Sequence, residues 1–140
     1  MKKYRGKRTQ ETVTVEVVRD DTHGRKHARN LRHIPFHSPT GLSWGYEGSG
    51  PADLALAILV DYLKERPPRT GWLAGEKFAR WSVHSTAFKH HQYFKRDFIT
   101  KFADEWELTD TQIQAWLERK EKDNDSNTHH AQRGGTDWEG

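Results

Sequence analysis

A glycine-rich turn, Gly-Ser-Gly-Pro at residues 48–51, is the segment whose residue types point most directly to binding chemistry. A strand that runs into such a turn and then into a helix exposes backbone N–H groups at the positive end of the helix dipole, which attracts phosphate above all. Glycines leave the approach open, and a serine hydroxyl adds a hydrogen-bond donor. The pattern predicts an anion site that consists of Tyr46, Gly48, Ser49, Gly50, Lys95 and Arg96.

The same turn also has a purely structural interpretation, which the sequence leaves open. Glycine suits a tight turn, Pro51 suits the first helical position, and Asp53 suits the first helical turn, where its carboxylate could occupy the free N–H groups. There is no Gly-x-x-x-x-Gly-Lys-Ser/Thr motif, so hydrolysis of a nucleoside triphosphate at a P-loop is not indicated.

Patterns typical of catalytic or metal centres are weak. The chain has no cysteine, and its best histidine group is His84 with His90 and His91. Because His91 falls on the apolar face of its predicted helix, a core histidine is favoured over a metal ligand. We expect no catalytic residue, no metal and no cofactor. The weakest alternative, a metal-dependent phosphodiesterase or nuclease, would use the carboxylates of Asp53, Asp61 and Asp97.

Positive charge is concentrated near the N-terminus. The formal net charge is +3, but residues 1–34 hold ten Lys or Arg against four Asp or Glu. Clusters of this kind neutralise phosphate groups, so nucleic acid is a possible partner of this region, with solvated strand ends as the plain alternative. The two clusters are Lys2, Lys3, Arg5, Lys7 and Arg8, and Arg25, Lys26, Arg29 and Arg32.

Two tryptophans of the folded region fall outside the periodic apolar pattern, as does Trp138 in the tail. Trp72 and Trp81 lie in residues 69–84, whereas the other tryptophans of the folded region occupy apolar positions typical of a core. Exposed aromatic rings on a small domain mark contact surfaces. Residues 69–84 therefore form a candidate protein-contact region, and a protein–protein inhibitor or adaptor is the main alternative function.

The elements that position these groups predict an α+β domain. Alternating residues predict strands over 12–18 and Leu42–Tyr46, with Tyr4–Arg8 as a further partner. Leu54–Leu63 is apolar almost all round, which predicts a central buried helix. We expect a small antiparallel sheet of two to three strands packed on this helix, followed by two to three further helices. These are predicted near Phe78 and Trp81, over Ser85–Phe102, and after a capping box at Thr109–Gln112.

Length and composition predict a single domain over residues 1–121. No Leu, Ile, Val or Phe follows Leu117, so residues 122–140 are predicted to be a disordered tail. There is no apolar run long enough to span a membrane and no signal-peptide pattern, which leads us to expect a cytoplasmic protein without a membrane partner. The sequence does not indicate an oligomeric state.

Residues 41–63 resemble a family of small uncharacterised prokaryotic and phage proteins, whose members carry a similar Gly-Tyr-x-Gly-Ser-Gly-Pro-x-x-Leu-Ala-Leu segment. The likeness resumes at residues 93–99 and 106–116 and covers roughly residues 1–118. It implies a shared fold and a phage or mobile-element setting, but no activity and no catalytic residues. The function expected is that of a non-catalytic accessory protein that binds a nucleotide or a nucleic-acid backbone, with countering a host defence as one role.

Overall fold

The computed structural model describes residues 1–38, 40–68 and 75–131, and within them it confirms the α+β class. The sheet is antiparallel with the order β3-β2-β1-β4, one strand more than expected. Its strands are β1 (Lys2–Arg8), β2 (Val13–Asp20), β3 (Lys26–Asn30) and β4 (Glu105–Thr109). The helices are α1 (Ser49–Leu63), α2 (Gly75–His84), α3 (Thr86–Asp97) and α4 (Asp110–Ala131), with a 3-10 turn at Ile99–Lys101.

Helix α1 is the centre of the fold, as its apolar sequence predicts. Leu54, Leu56, Ile58 and Leu59 are completely buried. The helix begins at Ser49, two residues before the expected Pro51, so Asp53 lies in the second turn rather than the first. It ends where Lys64 takes the left-handed conformation. No helix within the described ranges is long and apolar enough to cross a membrane.

The inner face of the sheet packs on this helix. Tyr4 in β1 stands opposite Val17 of β2 and Leu108 of β4, and all three side chains are buried. Gly6 stands opposite Trp106, whose indole lies over it: an added Cβ at Gly6 would come within 2.3 Å of the indole Nε1. Only glycine therefore fits beneath Trp106.

The strand predicted over Leu42–Tyr46 is wrong. Trp44 is buried in a loop, where its indole N–H donates to the carbonyl of Ala103 at 2.8 Å, and the chain turns at Gly45, where φ is +90°. The alternation around Trp44 comes from one buried anchor in a loop. The sheet instead gains β3 from the segment expected to be a long connection, and β4 from a short stretch before the last helix.

Helix α4 begins with the predicted capping box. The backbone N–H of Gln112 donates to Thr109 Oγ1 at 3.1 Å, and the Gln112 side-chain oxygen accepts from the Thr109 N–H at 2.9 Å. The helix continues to Ala131, into the segment 122–140 for which composition predicts disorder, while residues 132–140 lie outside the described residues. The helix expected over Ser85–Phe102 stops at Asp97 and gives way to the 3-10 turn.

Candidate functional site

The Gly-Ser-Gly-Pro turn lies at the start of α1, and the structure places most of the predicted anion-site residues around it. The ring of Tyr46 covers the turn, and a Cβ at Gly48 would come within 2.7 Å of it. A Cβ at Gly50 would come within 2.9 Å of the Ser43 Cβ. Both glycines therefore have a packing reason. Lys95 reaches the residue before the turn, because its Nζ pairs with the Glu47 carboxylate at 2.9 Å.

No side chain caps α1. The exposed Ser49 hydroxyl makes no hydrogen bond within the described part of the chain, and the Asp53 carboxylate accepts from a different loop. The expected capping role of Asp53 is therefore wrong, while the interpretation of the segment as a tight turn stays open. Arg96 is not brought to the turn: it pairs with Asp97 at 3.1 Å and lies over the Tyr93 ring. Anion binding at the turn stays a prediction, and the cation that lies beside it, Lys95, is already paired.

Asp53 is completely buried and ties the loop after β3 to α1. Its carboxylate accepts the backbone N–H groups of His37 and Ser38 at 2.7 and 2.9 Å, and it contacts His33 Nε2 at 2.8 Å. These partners satisfy the buried carboxylate, which is otherwise costly to bury. The sequence does not indicate that Asp53 holds this loop, because an aspartate at this position fits equally well as a helix cap.

His37 and His91 form a second connection from the same loop. His91 Nδ1 must donate to the carbonyl of Phe88, 2.6 Å away, so its Nε2 is a lone-pair acceptor. His37 Nε2, at 2.9 Å, is then the donor. Burial lowers the pKa of His91 to about 4, and burial also lowers the pKa of His37. The pair is held neutral.

The histidines and carboxylates that sequence analysis grouped do not converge. His90 and His91 are both buried, as expected of core histidines, but His90 turns away to Glu121 at 2.9 Å. Asp53, Asp61 and Asp97 each have separate partners, the last accepting from the Trp116 indole. Across residues 1–38, 40–68 and 75–131, no group of three or more His, Asp or Glu side chains could hold a metal ion.

Of the two predicted protein-contact tryptophans, the structure describes only one. Trp72 lies outside the described residues. Trp81 is half-buried in an aromatic cluster that joins α2 to α3, with its ring centroid 5.0 Å from that of Phe78 and 6.4 Å from that of Phe88. Trp81 thus packs partly inside the fold, and its role in protein contact stays a prediction.

Several of the N-terminal cations are neutralised within the sheet. Side chains alternate along β1, so Lys3 and Arg5 lie on the face turned away from α1. There they pair with Glu107 at 3.2 Å and Glu16 at 2.9 Å. On β3, Lys26 pairs with Asp20 at 3.1 Å. These ion pairs leave little free charge on the outer face of the sheet, although three of its strands come from the most basic part of the sequence.

A second set of cations gathers at the end of α1 that lies away from the glycine-rich turn. They line two adjoining cavities of about 380 Å³ each, between β2–β3 and the C-terminal end of α1. The cavities share Lys2, Arg29 and Lys64. We call this surface the basic cleft. Its six cations are Lys2, Arg19, Arg29, Arg32, Lys64 and Arg66.

Asp61 is the acidic residue that faces these cations. Its carboxylate contacts Lys2 Nζ at 3.0 Å and an Arg29 nitrogen at 2.5 Å, and it accepts the Tyr4 hydroxyl at 2.6 Å. Burial opposes its ionisation, but these hydrogen bonds outweigh burial and lower the pKa of Asp61. The other carboxylate of the lining, Glu65, is directed to the start of α3, where it accepts from Ser85 and Ala87.

The remaining cations of the basic cleft have no acidic partner within the described ranges. Arg19 and Arg32 come from β2 and from the loop after β3, and Lys64 and Arg66 follow α1. Sequence analysis missed Lys64 and Arg66, because they lie far along the chain from the N-terminal clusters. The local sequence indicates only that a helix ends near these two residues. The contact between the end of α1 and β3 depends on the tertiary fold.

The fold and the cleft together define a small α+β domain with a basic groove beside its sheet. Residues 4–70 and 77–119 match a Family of unknown function (DUF6166), and the chain belongs to this family. Comparison with curated proteins and with solved structures finds no match. The predicted resemblance to an uncharacterised family is confirmed, while the phage setting and the specific motif stay predictions.

Proposed function

We propose that this protein binds the phosphate backbone of nucleic acid through the basic cleft, without catalysing a reaction. The observation that carries the proposal is the convergence of six cations from four parts of the chain on one groove, where Asp61 is the one facing carboxylate among the described residues. Lys and Arg side chains that neutralise phosphates release condensed counterions, and this release drives sequence-independent binding.

The arrangement of charges favours several phosphates over one. The cations line two adjoining cavities, so a ligand that engages both must carry charge along its length. A backbone does this, whereas a mononucleotide fills only one position. The proposal keeps the phosphate-bearing ligand expected from the sequence but moves it from the glycine-rich turn to the cleft, where cations without acidic partners are available.

A non-catalytic role is supported by the chemistry of the cleft lining. Asp61 is occupied by three donors, so its carboxylate is not free to take a proton from a ligand. A phage or mobile-element setting, with countering a host defence as one outcome of nucleic-acid binding, is part of this proposal and rests on the resemblance described above.

Fluorescence anisotropy with a labelled DNA duplex of mixed sequence tests the proposal. The double variant Lys64→Gln/Arg66→Gln is compared with Lys89→Gln/Lys101→Gln, which removes the same charge from exposed positions of α3 and the 3-10 turn. We expect the cleft variant to bind at least about tenfold more weakly and to lower the salt slope by about two, since each phosphate contact contributes about 0.9. Equal losses in both variants, or binding without salt dependence, would contradict the proposal.

A further inference from the structure

We infer that the basic cleft takes double-stranded rather than single-stranded nucleic acid, an inference that rests on the proposed function. It comes from the apolar lining of the cleft. Between the cations, the described lining side chains are aliphatic and mostly small: Val17, Ala28, Leu31, Ile34, Ala57 and Val60. No Phe, Tyr or Trp is among the described residues that line it.

Unpaired bases need surfaces on which to stack. Proteins that bind single strands provide aromatic rings along the groove that holds the backbone, because every base has a face that stacks on such a ring. Among the described residues of this lining, the one ring is the imidazole of His27, which contacts Asp21. A single strand in the basic cleft would therefore leave its bases in water.

Two exposed tyrosines within the described ranges, Tyr46 and Tyr93, lie on other parts of the fold. Tyr46 precedes the start of α1 and Lys64 follows its end, so a helix of 15 residues, about 22 Å long, separates them. On α3, Tyr93 contacts two cations, with the Arg96 guanidinium 5.2 Å and the Lys120 ammonium 5.5 Å from its ring centroid. Neither tyrosine is among the described residues that line the basic cleft.

A duplex has no such requirement, because its bases are stacked and paired internally. What it presents is a regular row of phosphates, and the basic cleft offers cations from both of its walls. Lys2 and Arg29 are held by Asp61, so they meet the ligand without losing further side-chain freedom. Fixed cations suit a backbone of fixed shape better than a flexible one.

The test compares a labelled duplex with each of its two separated strands, at equal ionic strength, for the wild type and for Lys64→Gln/Arg66→Gln. We expect the duplex to bind about tenfold or more tightly than either strand, and only the wild type to show this preference. If a single strand binds as tightly and the variant weakens it, the proposed function stands and the duplex inference is wrong. If nothing binds, or the variant changes nothing, both are wrong.

Unlabelled competitors separate a duplex from other polyphosphates. Inorganic polyphosphate is added at the same total phosphate concentration as unlabelled duplex DNA. We expect the unlabelled duplex to displace the labelled one at a lower phosphate concentration. Displacement by polyphosphate at equal or lower concentration would overturn the assignment of a duplex, because it would show that charge alone selects the ligand. Duplex RNA in the same assay tells which helical form is preferred.

Discussion

His37 donates from Nε2 to Nε2 of His91 across 2.9 Å, and this bond joins the loop after β3 to α3. The two rings are also stacked, with their centroids 5.2 Å apart. Because His91 is already committed to the carbonyl of Phe88, a proton added to this pair removes the acceptor on which the contact depends.

Stability should therefore fall in mild acid. An unfolded histidine takes up its proton near pH 6.5, whereas burial holds the pKa of His91 at about 4 in the folded protein. The unfolded state thus binds more protons, and the free energy of unfolding decreases as pH falls from about 6.5 to about 4, by roughly 3 kcal/mol. Urea unfolding at a series of pH values measures this change.

Two variants identify the group responsible for the acid sensitivity. His91→Gln removes the buried group, so its stability should vary less with pH over this range, whereas exposed His23→Gln should behave like the wild type. Paired carboxylates with a lowered pKa, such as that of Asp61, stay ionised over this range, so their protonation lowers the stability only below about pH 4. An unchanged pH dependence in His91→Gln would assign the effect to another group.

Gly6→Ala should destabilise the sheet. The new Cβ would come within 2.3 Å of Trp106 Nε1, and the ring cannot move freely because it stacks on Phe102 with centroids 4.2 Å apart. We expect a loss of about 1–3 kcal/mol in urea unfolding, typical of overpacking. Adding Trp106→Leu should make the double variant more stable than the two single losses predict. A Gly6→Ala protein as stable as the wild type would contradict the packing described for Trp106.

Asp61→Asn should lower the stability of the protein and raise its affinity for a duplex. The substitution weakens the contacts with Lys2, Arg29 and Tyr4, so we expect a loss of about 1–3 kcal/mol in urea unfolding. It also removes the carboxylate that opposes the cations, and duplex affinity at low salt should increase. A folded Asp61→Asn protein with weaker duplex binding would mean that holding Lys2 and Arg29 in place matters more than the charge.

Ser49→Asp distinguishes the glycine-rich turn from the basic cleft. Ser49 is exposed, so a carboxylate fits there without the clash that a side chain at Gly50 would cause with Ser43. We expect duplex affinity to stay within about twofold of the wild type, because the added charge lies at the far end of α1. A loss as large as that of Lys64→Gln/Arg66→Gln would return the binding site to the turn.

The sequence predicted those elements whose signals are local. The apolar run of α1, the alternation in β2 and the Thr109–Gln112 capping box each depend on neighbouring residues, and each is present in the structure. Strand β3 could not be found in this way, because all five of its residues are exposed and none alternates with a buried one. An edge strand of this kind is recognised only by its hydrogen bonds to the neighbouring strand, not by a pattern in its own sequence.

The basic cleft depends on information of the same non-local kind. Counting charges located an excess in residues 1–34, but the register of the sheet decides which cations are neutralised. Lys3 meets Glu107 only because β1 pairs with β4, and Arg29 reaches Asp61 only because β3 lies beside the end of α1. The sequence supplies the charges, and tertiary pairing determines which of them remain available.

The position of β1 between β2 and β4 also governs the order in which the sheet is assembled during synthesis. The hairpin of β1 and β2 is complete after the first 20 residues, but β4 begins only at Glu105. Until that segment leaves the ribosome, one edge of β1 has no partner and Gly6 lacks the indole that covers it. Closing contacts of such long sequence separation form slowly. The nascent chain therefore carries an open strand edge through most of its translation, and it is in this interval that a chaperone has a surface to hold.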